Sequence, residues 1–268
     1  VRYGIVKVST ADIRSRPGHQ FEMVTQGLLG AVVRITGRAV GDGWLKVELP
    51  DGYRGWTRCW NLEILPKARA IDWEQEATAV VLAAGADVVT SRSAGSRRLR
   101  DLVLGCRVRA MGRRGAWKRV ELPDGVRGWV RSGALGGERP ATGAAIVNTA
   151  RLFLGAPYLW GGVSPKGPDC SGLVQTSYAV HGIRLPRDVK DQRRCGEEVG
   201  RDALAAGDLL FFGSGRANLT HVGISTGGPG FIHAGCPVEE ASLDPAAANY
   251  QRRRAPSLRL ARRVLLHP

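Results

Sequence analysis

Short apolar runs alternating with polar residues dominate the first half of the chain, at residues 5–8, 31–35 and 45–49, each bounded by turn formers. A period of two puts every second side chain on one face, so these runs predict half-buried strands. The third run leads into Pro50-Asp51-Gly52 and then Gly55-Trp56. That order predicts a hairpin, because Pro presets φ at the turn and Gly accepts the left-handed conformation that closes it. The whole pattern then returns. Gly43-Trp44-Leu45-Lys46-Val47-Glu48-Leu49-Pro50-Asp51-Gly52-Tyr53-Arg54-Gly55-Trp56 is echoed by Ala116-Trp117-Lys118-Arg119-Val120-Glu121-Leu122-Pro123-Asp124-Gly125-Val126-Arg127-Gly128-Trp129, with Trp117 73 positions after Trp44. Upstream the echo is looser, Asp87 standing 75 positions after Asp12. Such self-similarity predicts two copies of one small strand-turn-strand barrel. Trp44, Trp56, Trp117 and Trp129 are the expected core and rim aromatics. Residues 66–76 read as a polar, Pro-containing connector, and Gly136-Gly137-Glu138-Arg139-Pro140 as a second boundary.

From Thr142 the period becomes helical. Ile146, Ala150, Phe153 and Leu154 stand at i, i+4, i+7 and i+8, with Thr142 as N-cap and Gly155 just past the end. A loop rich in Gly and Pro follows over residues 156–168. A second helix is expected from Cys170, burying Leu173, Val174, Ser177 and Val180 and ending at Gly182, then a short helical piece over 188–194. Strands are predicted at 208–212, 221–226 and 230–233, the last two joined as antiparallel neighbours by Gly227-Gly228-Pro229-Gly230. Helices first and antiparallel sheet afterwards is an α+β layout. The expected organisation is three domains, at residues 1–66, 77–138 and 139–268.

Composition narrows the partners. The chain has 268 residues, 43% of them hydrophobic, which describes a folded protein of more than one domain. A formal charge of +15 makes an anionic partner attractive, whether nucleic acid, a membrane surface or a carboxylate-rich wall polymer. No homeodomain, zinc-finger or RNA-recognition signature accompanies the charge, so no nucleic-acid partner is expected. Without a run of 18 apolar residues, no membrane insertion is expected either. The chain opens at Val1 with no charged-then-apolar leader. The compartment therefore reads as cytoplasmic or, if a signal peptide has been removed, periplasmic or secreted. Five cysteines, an odd number without a C-x-x-C pair, predict neither a disulfide framework nor a zinc ribbon. Cys59, Cys106, Cys195 and Cys236 read as packing residues.

Cys170 differs because it opens a helix, where the first-turn N–H groups and the helix dipole favour the thiolate. Thiol catalysis also needs a base and a group that orients it. His221 and His233 lie on predicted neighbouring strands, which brings them to one edge with Cys170 as nucleophile. A metal site built from the same three residues is the weaker alternative, since it lacks a close-spaced ligand pair. No cofactor or metal is expected.

Pro157-Tyr158-Leu159-Trp160-Gly161-Gly162, Asp169-Cys170-Ser171-Gly172-Leu173-Val174-Gln175, Leu185-Pro186-Arg187-Asp188, Gly207-Asp208-Leu209-Leu210-Phe211-Phe212, His221-Val222-Gly223-Ile224 and Phe231-Ile232-His233-Ala234 occur in the order and spacing of the NlpC-type cell-wall peptidases. The second half of the chain resembles that family, and residues 1–138 resemble two tandem bacterial SH3-type domains. The resemblance implies all-β tandem SH3-type barrels followed by an α+β papain-like peptidase domain. It also implies a cysteine endopeptidase cleaving the γ-D-glutamyl to L-diamino acid bond of peptidoglycan stem peptides, with either diaminopimelate or lysine as the diamino acid. Carried over by position, Cys170 is the nucleophile, His221 the base and His233 the orienting residue. The same comparison makes Tyr158 an oxyanion donor beside the Cys170 N–H, and Asp169 and Ser171 substrate contacts. In the SH3-bearing subset of the family the first barrel recognises the free amine of an N-terminal L-Ala. The corresponding candidates are Glu22 and Asp169 for the ammonium and Tyr53 as a hydrogen-bonding wall, a specificity that suits peptide recycling. Val126 replaces that tyrosine in the second repeat, and Val189 stands where relatives often carry a hydroxyl residue. Two rival readings are a wall-binding protein with a degenerate peptidase module, and a cysteine amidase or acyltransferase with another substrate.

Overall fold

The computed structural model describes residues 2–137 and 140–265, in two compact units, Val1–Glu138 and Arg139–Pro268. The boundary expected at 136–140 includes Glu138 and Arg139, which lie outside the described residues.

The first unit holds two seven-stranded antiparallel sheets. Strands β1 (Arg2–Val6), β2 (Thr10–Arg14), β3 (Met23–Leu28), β4 (Val32–Ile35), β5 (Trp44–Glu48), β6 (Arg54–Arg58) and β7 (Leu62–Leu65) make the first. Helix α1 (Lys67–Glu76) precedes the second, made by β8 (Ala79–Val81), β9 (Gly85–Val89), β10 (Arg98–Val103), β11 (Arg107–Arg114), β12 (Trp117–Glu121), β13 (Arg127–Arg131) and β14 (Leu135–Gly136). The strand orders are β3-β2-β6-β5-β4-β1-β7 and β10-β9-β13-β12-β11-β8-β14, the same path walked twice. Equal sequence patterns therefore gave equal pairings. In both Pro-Asp-Gly turns the glycine is left-handed, with φ of 82° at Gly52 and 79° at Gly125. Each aspartate accepts from the N–H two residues on, Tyr53 at 3.0 Å and Val126 at 3.4 Å. The charges repeat as well: Glu48 accepts from Arg34 and Arg54, and Glu121 from Arg109 and Arg127. Arg58 lies over Trp44 as Arg131 lies over Trp117.

The expected polar connector is instead helical. Ala70 and Trp73 of α1 are buried one turn apart, Ala77 follows one turn on, and Trp73 packs with Ile5. Trp73 Nε1 donates to the Gly30 carbonyl at 3.0 Å. The i, i+3, i+7 spacing of Ala70, Trp73 and Ala77 is amphipathic, and the neighbouring charges mask it.

The second unit is α+β. Helix α2 (Gly143–Ala150) is capped by the Thr142 hydroxyl, which accepts from Ala145 N at 3.2 Å. It stops earlier than its apolar period, giving way to a 3₁₀ turn over Arg151–Phe153. Two-residue strands β15 (Val163–Ser164) and β16 (Gly167–Pro168) pair within the Gly-rich loop. Helix α3 (Cys170–Ala179) follows, then α4 (Val189–Gln192) and the short strand β17 (Glu197–Glu198). The remaining strands are β18 (Ala206–Gly215), β19 (Asn218–Gly227), β20 (Gly230–Ala234), β21 (Val238–Ser242) and β22 (Leu258–Arg263). They form an antiparallel sheet in the order β17-β22-β18-β19-β20-β21.

The unbroken apolar run Leu209-Leu210-Phe211-Phe212 explains why β18 is central: all four of these side chains are fully buried, as in a strand stretch covered on both faces. Leu210, Phe212, Phe231, Ala241 and Ala261 share one core cluster. Helix α2 packs on β18 and α3 on β19 and β20. Among the described residues no helix is long and apolar enough to cross a membrane. All five cysteines are free thiols. Cys106 is buried and Cys59 and Cys195 are half-buried, but Cys236 is exposed, so it does not pack as expected. It lies in the turn between β20 and β21, beside the equally exposed Pro237.

Candidate active site

Cys170 is the first residue of α3. Asp169 is the N-cap, its carboxylate accepting from Gly172 N at 2.7 Å, and this aligns the free first-turn N–H groups with the thiol's end of the helix. Packing of α3 on β19 brings the sulfur against the strand that carries His221, where the N–H groups of Val222 and Ser171 face it. Burial, then the Asp169 carboxylate, pushes the thiol up to about 11 against the opposing pull of those two N–H groups and of Arg187. The helix start alone was expected to favour the thiolate. Desolvation wins because Cys170 is only 6% exposed.

Across β19 and β20, His233 pairs in register with Gly223, two residues from His221 and on the same face. His221 Nε2 lies 2.9 Å from His233 Nδ1. Both imidazoles are buried, and burial is the first cause that holds His221 well below the ordinary histidine range, with Arg254 adding to it. His233 is lowered by burial too, while Glu239 pulls it upward. Burial thus works against the charged form of the thiol and of both imidazoles.

Tyr158, in the loop before β15, is raised above the ordinary phenol range by burial and by the charges of Cys170 and Asp169. Its hydroxyl therefore stays a hydrogen-bond donor beside the thiol. The loop is clasped to the head of α3 by a backbone bond from Asp169 N to the Gly162 carbonyl and by Gly161 N donating to the Asp169 carboxylate.

Asp169 does more than cap. Its two oxygens accept from Gly161 N, Gly172 N, Ser171 Oγ and both terminal nitrogens of Arg187, the last at 3.0 and 2.5 Å. Ser171 Oγ accepts from Arg187 at 2.8 Å, so both flanks of the cysteine are held by one guanidinium. Glu22 and Tyr53 lie in the first unit, Glu22 exposed just ahead of β3 and Tyr53 half-buried after the Pro-Asp-Gly turn.

Three residues joined to this site were not singled out from sequence for any role. Arg187 sits within the Leu-Pro-Arg-Asp motif, where its ion pair with a residue 18 positions away has no local signature. Glu239 is the cross-strand partner of His233 in the β20–β21 hairpin, and its Oε1 is 3.2 Å from His233 Nε2. Gln251 Nε2 donates to the same oxygen at 2.7 Å. Reading Gly235-Cys236-Pro237 as a hairpin turn would have placed Glu239 opposite His233.

A family model described as the NlpC/P60 family matches residues 155–259, and one described as the bacterial dipeptidyl-peptidase Sh3 domain matches residues 13–58. The gamma-D-glutamyl-L-lysine dipeptidyl-peptidase of Bacillus subtilis (strain 168) is 31% identical over 221 residues, covering 78% of this chain and 71% of its own. The chain belongs to the NlpC/P60 family. Dipeptidyl-peptidase 6 of Lysinibacillus sphaericus is 30% identical over 253 residues, covering 90% of both chains. A crystal structure of an NlpC/P60 family protein from Bacillus cereus ATCC 10987 matches with a TM-score of 0.84 at 25% identity, covering 98% of this chain and 100% of that one. The architecture is accordingly SH3-like antiparallel sheets followed by an α+β NlpC/P60 domain, and the chain is a cysteine peptidase.

Proposed function

We propose that this NlpC/P60 peptidase hydrolyses the γ-D-glutamyl to L-diamino acid bond of peptidoglycan stem peptides, releasing the N-terminal L-Ala-γ-D-Glu dipeptide. The observation that carries the reading is the thiol at the head of α3, facing the backbone next to His221, whose ring is tied to His233. The curated relatives support the bond cleaved, being named as dipeptidyl-peptidases acting at γ-D-glutamyl-L-lysine.

His221 Nε2 is taken by His233, so Nδ1 is the atom left to accept the thiol proton. As sulfur bonds to the γ-carbonyl carbon, that proton moves to Nδ1. The carbonyl oxygen becomes an oxyanion, met by the Cys170 N–H and the Tyr158 hydroxyl. Collapse breaks the C–N bond while imidazolium returns the proton to the leaving diamino-acid amine. Water then attacks the thioester with Nδ1 as base, and the thiol is regenerated along with the γ-carboxylate.

For the free amine of L-Ala, the family resemblance offers Glu22, Tyr53 and Asp169 as the candidate residues, while Ser171 contacts substrate from the head of α3. Asp169 already accepts five donors, all from its own unit. L-Ala-γ-D-Glu-L-diamino acid is expected to be cleaved at least ~10-fold faster than its N-acetylated form, the loss of a charge-assisted hydrogen bond being worth about 1.5–3 kcal/mol. Equal rates on the two peptides would rule out amine recognition, and turnover by Cys170→Ala would rule out the mechanism.

A further inference from the structure

We propose that Glu239 is a positioning residue that sets the tautomers of both imidazoles, so that His221 presents Nδ1 to Cys170 as a bare lone pair. This rests on the reading of Cys170 as nucleophile and His221 as base.

An ionised carboxylate accepts hydrogen bonds and never donates them, so at 3.2 Å from Glu239 Oε1 the proton of His233 sits on Nε2. A neutral imidazole carries one N–H, which leaves His233 Nδ1 as an acceptor. That acceptor is 2.9 Å from His221 Nε2, so the proton of His221 sits on Nε2 as well. His221 Nδ1 is then unprotonated, as a base must be. Each step follows from counting donors and acceptors, and only the first link, the carboxylate, has a fixed polarity.

Two observations keep the chain from reversing. Both rings are nearly solvent-free, at 4% and 2% exposed, so water does not replace a lost partner. Gln251 donates to the same Oε1, which holds the carboxylate in place while its other side meets solvent. Burial and the nearby Arg254 both disfavour the charged rings, and the neutral state is the one in which tautomers carry information. Glu239 reaches this position through register alone, as the β21 residue opposite His233.

The test compares ¹⁵N-labelled wild type with Glu239→Gln, which keeps an acceptor oxygen, and Glu239→Lys, which offers only donors. Long-range ¹H–¹⁵N spectra of the imidazoles are expected to show Nε2–H on both rings in wild type and in Glu239→Gln. In Glu239→Lys both protons are expected on Nδ1, with kcat reduced by about 100-fold or more, the usual size of a general-base contribution, and KM within twofold. A wild-type spectrum with Nδ1–H on either ring overturns the proposal, and so do unmoved tautomers in Glu239→Lys. If the tautomers switch but turnover persists in both Glu239→Lys and Cys170→Ala, the tautomer coupling stands and the catalytic reading of Cys170 and His221 falls.

Discussion

Asp169 shows how much one side chain does at this site. It caps α3, holds the Tyr158 loop through Gly161 N, and forms a bidentate pair with Arg187, whose side chain is only 2% exposed. A bidentate guanidinium suits the geometry of a carboxylate in a way an ammonium does not. Taking Arg187 away would strand a buried anion next to the thiol, where it already raises the Cys170 pKa. Arg187→Met is therefore expected to lower unfolding free energy by about 3–5 kcal/mol, the cost of breaking a buried pair from one side. Urea denaturation measures this. A loss below about 1 kcal/mol, the level of an exposed pair, would contradict it. The double variant Asp169→Asn with Arg187→Met should recover part of the loss, since the orphaned charge goes with it.

At the scale of elements, the head of α3 is set by close backbone packing. A Cβ on Gly172 would run into the Gly162 carbonyl oxygen, and a Cβ on Gly162 into the Gly167 carbonyl. The Gly-rich loop and the helix therefore stack backbone on backbone, which is how Tyr158 stays beside a thiol 12 positions away. In an open helix, Gly172→Ala would gain up to ~1 kcal/mol in propensity. Here it is expected to destabilise, because overpacking against backbone costs about 1–3 kcal/mol. It should also cut kcat by shifting Cys170. Thermal unfolding and a turnover assay read both, and a raised Tm with full activity would show that the loop yields. Patterning announced α3, since its apolar period is local. The loop-to-helix contact was not legible, because a glycine kept for a close approach looks in sequence like a glycine kept for a turn.

For the whole molecule, the buried imidazoles make stability depend on pH. Folded His221 has a pKa well below the ordinary 6.5, and His233 is lowered too. A group depressed in this way adds stability above its unfolded value and loses it as pH falls toward the native one, because the unfolded chain binds the proton more tightly. Unfolding free energy is expected to fall below pH ~6.5 by up to about 1.4 kcal/mol per pH unit for each such imidazole. Denaturant midpoints between pH 7.5 and 5 measure the slope, and His221→Asn should flatten it. An unchanged slope in that variant would place the proton uptake elsewhere. The repeated barrels show the opposite regime: the half-exposed ion pairs around Glu48 and Glu121 recur in both copies and mark matching register rather than large stability.

The order of residues by itself determined what neighbours within a few positions decide. Period-two runs became strands, the repeat became one strand order traced twice, Thr142 and Asp169 became caps, and Pro-Asp-Gly became left-handed turns. The adjacent strands also brought His221 and His233 together, because one short turn sets their register. Only the tertiary structure decided that a helix fills residues 67–76 around Trp73, that Arg187 holds both flanks of Cys170, and that Glu239 stands behind His233. It also decided that burial pushes the thiol's pKa up. Desolvation and charge pairing depend on which distant groups share a buried volume, and a linear pattern of apolar and polar positions carries no record of that.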